Sequence, residues 1–225
     1  MSAYFKKKLI TRGLHLYIKK FSKRMVIFCS NMGCDINDKQ AVKHYQELIR
    51  TRLNIQVVGF QFLKDMPNNK NIFYSALDGL IKINENYIKL VDEYLIMHEL
   101  FYALITTADN DKKRLRFGIY IINEEGEMTP ESIKSRSAHR GLNMGFTKMI
   151  TDMMMNAKET ANGAYPGLTK IARQIRDMFG MDIIFKAMFE GPEVLEEVFD
   201  IAGGKGKFHE LSKIADEMLA IDESK

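Results

Sequence analysis

Between Tyr4 and Phe21 the apolar residues Tyr4, Phe5, Leu9, Ile10, Leu14, Leu16, Tyr17, Ile18 and Phe21 recur at roughly helical spacing. They predict an amphipathic helix over 3–23, with Gly13 as its weak point. Met25–Cys29 is a short apolar run of the kind a buried strand shows. Asp38 suits the cap of a helix running to about Arg52. Asn54–Leu63 is rich in β-formers, Met66–Lys70 reads as a turn, and Ile72–Tyr74 and Leu80–Ile83 flank Asp78-Gly79 as a hairpin would. Beyond that point helices dominate, over about 86–107, 138–158, 166–190, 193–201 and 207–221. Phe117–Ile122 reads as extended, and Asn123–Pro130 as a polar loop. Gly203-Gly204-Lys205-Gly206 lacks the preceding strand and the Ser/Thr of a phosphate-binding loop, so it reads as a linker. The expected fold is α+β: one mainly helical domain with a small sheet packed on a central buried helix.

That central helix is Tyr94–Ile105, apolar around its whole circumference except at His98 and Glu99. A helix that is hydrophobic all round is buried. A carboxylate buried without partners costs several kcal/mol, roughly, even after relaxation. Glu99 therefore lines a cavity, has a partner, or sits where the helix meets water. His followed by Glu inside an apolar helix also shares the first half of the zinc-peptidase pattern H-E-x-x-H. In that pattern two histidines one turn apart bind a metal and the glutamate polarises its water. The position one turn after His98 is Tyr102.

Composition narrows the class. Hydrophobic residues at 46% and charged residues at 28% exclude wholesale disorder. Two cysteines, Cys29 and Cys34, exclude a disulfide framework or a four-cysteine zinc site and read as inert thiols of a cytoplasmic protein. No apolar run reaches the ~18 residues of a membrane helix. Charge is uneven along the chain. Residues 1–34 hold eight of the 33 basic residues (Lys6, Lys7, Lys8, Arg12, Lys19, Lys20, Lys23 and Arg24) and none of the 29 acidic ones, so the remainder is net negative. The chain divides accordingly into a basic amphipathic segment, 1–34, and a body, 35–225. The basic segment is either a solvated helix face or a contact, through residues 1–24, for nucleic acid or an anionic membrane surface.

A second segment bears on His98-Glu99. Gly141-Leu142-Asn143-Met144-Gly145-Phe146-Thr147 opens a helix about forty residues downstream. It resembles the G-L-N-E-G-[YF]-T segment of small zincin-like proteins of low-GC Gram-positive bacteria, which are predicted metallopeptidases of gluzincin type. Ile81-Lys82-Ile83-Asn84 ahead of the His-Glu helix, Tyr165-Pro166 after the second helix, and a helix ending near Gly180 keep the same order. The resemblance covers roughly 70–220. It implies a zincin-like fold, His98 as first zinc ligand, Glu99 as general base, and residues 102 and 144 as the second and third ligand positions. Tyr102 and Met144 stand at those two positions. A catalytic zinc needs three protein ligands plus water, a tyrosine ligates only as phenolate, and a thioether suits zinc poorly. The resemblance thus implies a vestigial metal site of His98, Tyr102 and Met144, with Glu99 a relict base and no metal or other cofactor.

Three expectations of function follow. The first is a catalytically inactive zincin-like protein that binds another macromolecule, most simply a protein. The second is a zinc-dependent hydrolase with an atypical ligand set, His139 being a candidate compensating ligand. The third is a helical protein that binds nucleic acid or a membrane surface through its basic segment. The cluster Met144, Met149, Met153, Met154 and Met155 reads as core filling rather than a copper(I) site. His209-Glu210 repeats the dipeptide on the last helix, but Lys213 stands where a second histidine would be, and the pair reads as surface.

Overall fold

A computed structural model describes residues 3–31, 43–44, 46–47, 60–64, 72–75, 79–109, 114–123, 137–157 and 165–224. The turn expected at 66–70, the loop at 124–130, Cys34 and most of the helix expected over 38–52 lie outside them. The chain is α+β and mostly helical, and it divides into two compact units, Met1–Leu104 and Ile105–Lys225.

In the first unit, α1 is one continuous helix, Ala3–Asn31. Met25–Cys29, expected as a strand, is its last turns. Met25, Val26, Phe28 and Cys29 are buried, and they extend the stripe of Ile10, Ile18 and Phe21 at helical rather than alternating spacing. Beyond α1 lie the strands β1 (Phe60–Leu63), β2 (Ile72–Ser75) and β3 (Leu80–Asn84). β3 is central, parallel to β1 and antiparallel to β2. The expected hairpin is therefore present, with Gly79 at φ 64° beside it. Ile81 and Ile83 are completely buried. Asn84 Oδ1 accepts from Asn86 N–H at 2.9 Å and caps a 3₁₀ turn, Glu85–Leu90. Helix α2, Glu93–Ile105, follows. The helix expected over 86–107 is thus split at Val91-Asp92, where Asp92 Oδ1 accepts from Leu95 N–H at 2.9 Å.

The second unit has a sheet of its own, β4 (Thr106–Asp109), β5 (Arg114–Phe117), β6 (Tyr120–Asn123) and β7 (Ser137–Ala138), antiparallel throughout in that order. The stretch expected as one extended segment is a hairpin turned at Gly118-Ile119. Five helices follow: α3 (Arg140–Met155), α4 (Pro166–Phe179), α5 (Met181–Glu190), α6 (Glu193–Gly203) and α7 (Lys207–Glu223). The helix expected over 166–190 breaks at Gly180, whose φ of 91° a side-chain-bearing residue rarely adopts.

Helix α3 is the core of this unit, packed chiefly against α4 and α7. Gly141 and Gly145 permit both approaches. A Cβ on Gly141 would collide with Ala215 O of α7, and one on Gly145 would stand 2.5 Å from Leu168 O of α4. Asn143 Oδ1 accepts from Ile119 N–H at 3.2 Å and ties the β5–β6 turn to the helix. Arg116 adds a second tie. It donates to Thr107 Oγ1 at 3.2 Å, Gly118 O at 3.3 Å and Phe189 O at 2.8 Å. No helix among the described residues is long and apolar enough to cross a membrane.

Candidate functional site

The first candidate is the His-Glu helix. Ile96, Met97, Leu100, Phe101, Ala103 and Leu104 of α2 are buried, so its long apolar face is core. Tyr94, His98 and Tyr102 form a half-buried stripe one turn apart. The His98 ring stacks on Tyr94 at 6.3 Å and meets Tyr102 edge-on at 5.3 Å. Tyr102, at the expected second-ligand position, thus packs its ring against His98. Glu99 points elsewhere and is 7% exposed.

The register explains where Glu99 goes. Tyr74 lies opposite Ile81 on the edge strand β2, and in an antiparallel pair alternate residues turn their backbone groups away from the partner strand. Tyr74 N–H is such a group, and it donates to Glu99 Oε2 at 2.7 Å. The carboxylate therefore occupies an edge-strand donor that burial would otherwise leave dry. Asn143 of the second motif and Arg140 just before it make bonds within the second unit: Asn143 holds Ile119, and Arg140 makes a two-pronged bond to Glu223 at 2.9 and 2.6 Å.

His98, Glu99 and Tyr102 belong to the first unit and Met144, half-buried, to the second. On this helix the described residues offer a metal the imidazole of His98 beside the Tyr102 phenol, with the adjacent carboxylate accepting from a backbone amide. That donor set does not fit zinc.

The basic residues separate. Ile18, Phe21 and Met25 are fully buried, so α1 is a core element. Lys19, Lys20 and Lys23 are exposed. Lys20 and Arg24 both reach Glu93, at 3.0 and 3.5 Å. Lys6, Lys7, Lys8 and Arg12 lie on the same helix, with side chains outside the described set.

A second cluster lies wholly within the second unit. His139 precedes α3 in a left-handed conformation, φ 67° and ψ 21°. Asp216 of α7 holds that turn by accepting the backbone N–H of Gly141. Burial raises the Asp216 pKa, and the nearby backbone amides of Gly141, His139 and Arg140 pull against the rise. Ser212 Oγ stands 2.7 Å from His139 Nδ1, and the His139 ring lies 5.0 Å from Phe208 and 5.6 Å from His209. Burial, and secondly the neighbouring His209, hold the His139 pKa down at about 4. The imidazole is therefore neutral near pH 7. His209 Nε2 lies 3.5 Å from Glu196 Oε1 of α6. His139, His209, Ser212, Lys213, Asp216 and Glu217 line an open cleft of about 410 Å³.

His139, a candidate ligand from the sequence, thus stands beside His209, which the sequence places on the surface. The signal for the second residue is the spacing of His209, Ser212 and Asp216 on α7. These polar residues fall on one stripe of an amphipathic helix, and Ser212 is buried.

Comparison of the chain with protein-family models, curated proteins and solved structures finds no match.

Proposed function

We propose that the protein acts by binding another macromolecule, on a zincin-like scaffold whose His-Glu helix has lost hydrolysis. The observation that carries this reading is the bond from Tyr74 N–H to the buried Glu99 carboxylate. A general base must reach the water it activates and exchange a proton with it. Glu99 instead satisfies a strand edge, and His98 packs between two tyrosines.

A protein partner suits the surface of α1 better than nucleic acid does. Leu16 and Ile27 are 56% and 59% exposed. With Lys20 and Lys23 between them they form one stripe, since positions four, seven and eleven apart share a helix face. Mixed apolar and cationic groups of this kind fit a protein surface with apolar and acidic patches. The pairing of Lys20 and Arg24 with Glu93 lowers the positive charge left for phosphates.

The test is hydrolysis of a fluorogenic casein with added zinc, by wild type and by Glu99→Gln and His98→Ala. The expected result is no chelator-sensitive cleavage by any of the three. Cleavage by wild type that disappears in both variants would overturn the reading.

A further inference from the structure

We infer that His139, Glu196 and His209 form a binding site for a divalent transition metal ion of the zinc class, in the second unit and separate from the His98 helix. Each residue offers one ligand atom, and these atoms all lie within 4.8 Å of one another. Two imidazoles and one carboxylate are donors of the kind that borderline cations such as zinc prefer. Ligands around tetrahedral zinc stand about 3.3–3.5 Å apart, from metal–ligand bonds near 2.0–2.1 Å. Closing to that spacing takes small side-chain rotations. Glu196 and His209 have the room, with side chains 32% and 61% exposed.

Three features separate this cluster from a chance surface pair. His139 is 5% exposed, so one donor is fixed in the protein interior. Its Nδ1 is engaged by Ser212 Oγ at 2.7 Å, which leaves Nε2 as the coordinating nitrogen. Metal-bound histidines are commonly oriented by such a bond to the far ring nitrogen. The backbone that presents the ring is also held. A left-handed histidine persists only when its surroundings over-determine it, and here Asp216 takes the Gly141 N–H while Ser212 holds the ring. The ligands come from the turn before α3, from α6 and from α7, so a bound ion would cross-link three elements. Three protein ligands leave a fourth position, and the cleft beside His139 and His209 gives solvent or a small ligand access to it.

The experiment is zinc titration by calorimetry of the chelator-stripped full chain, purified without a histidine tag. Cobalt(II) absorption serves as the coordination readout. The expected result is one zinc per chain and the visible bands of tetrahedral cobalt. Glu196→Gln alters a half-buried side chain without changing its size and His209→Ala an exposed one, so both should stay folded. Each should weaken zinc binding by at least ~10-fold, and Ser212→Ala by about 10-fold through the freed ring. His98→Ala should change nothing. No zinc uptake by the folded wild type would overturn the inference, as would uptake that Glu196→Gln and His209→Ala leave intact. The site does not depend on the reading of the His-Glu helix. Zinc lost on His98→Ala alone would refute both proposals, whereas zinc lost only on changes at His139, Glu196 or His209 supports this one.

Discussion

Replacing Glu99 by alanine tests whether the buried carboxylate holds the first sheet. The native group accepts Tyr74 N–H at 2.7 Å, and Tyr74 and Glu99 are 8% and 7% exposed. Two effects oppose each other. Stripping the acceptor leaves a buried amide unsatisfied, at a cost of about 1–3 kcal/mol. The variant also recovers the desolvation penalty of a carboxylate held out of water, which is several kcal/mol, roughly, for an unpaired ion and less for one already hydrogen-bonded. Because the donor that stays behind is buried and the carboxylate is already hydrogen-bonded, the first effect should win, leaving a net loss of at most about 2 kcal/mol. For a chain of this length that lowers Tm by at most roughly 8 °C. Glu99→Gln keeps an acceptor and should lose about half as much, since a neutral acceptor makes the weaker bond. Thermal unfolding followed by circular dichroism gives the magnitude. Hydrogen exchange of a peptide covering 72–75 gives the cause, with Tyr74 deprotected in the alanine variant and largely protected in the glutamine one. Unchanged or raised stability with Tyr74 still protected would refute the structural role and point to a position kept for function at the expense of stability.

Thr147 Oγ1 is the one buried side-chain polar atom without a partner among the described residues. Thr147→Val should therefore raise stability by about 1 kcal/mol, the desolvation cost it removes, and a lower Tm would refute this. Gly141→Ala should destabilise by about 1–3 kcal/mol by forcing α3 off Ala215 of α7, and denaturant unfolding reads it directly. Arg116→Met should cost about 2–4 kcal/mol, because three oxygens on β4, the β5–β6 turn and α5 lose a charged donor. Deleting residues 1–24 should abolish cooperative unfolding of the first unit, since Ile18 and Phe21 are fully buried. A truncated chain that melts as sharply as the full one would show that α1 is an appendage.

The helical second half was legible because its apolar stripes are long. Leu142, Phe146, Met149 and Ile150 recur at three- and four-residue spacing and are all buried. The hairpin of β2 and β3 was legible from the β-formers on either side of Gly79. Met25–Cys29 misled because a short apolar run has no period of its own, and only its phase with Ile18 and Phe21 assigns it to a helix. The break at Gly180 and the turn at Gly118-Ile119 escaped for a different reason. A lone glycine inside a periodic segment is tolerated as often as it breaks one, and the hairpin exists because Asn143 accepts Ile119 N–H, a contact 24 residues distant in sequence.

The two candidate sites differ in how sequence encodes them. His98 and Glu99 are neighbours on one helix, so a local pattern exposes them whether or not they do chemistry. The residues that support the resemblance also have packing duties of their own. Gly141 and Gly145 admit α7 and α4 against α3, Asn143 ties a turn, and Asn84 caps a 3₁₀ helix. Such duties would hold those residues in place with or without zinc, so the motif alone does not separate chemistry from packing. His139, Glu196 and His209 form the reverse case. They are scattered over 71 positions, and no spacing rule joins a left-handed turn to two separate helices. Their grouping follows from Gly141, which lets α7 lie close enough for Ser212 and Asp216 to grip the turn that carries His139. Gly141→Ala should then act twice, lowering stability and loosening zinc at a site whose ligands it does not touch. A variant that loses stability but keeps full zinc affinity would show that the ligands do not depend on this helix contact.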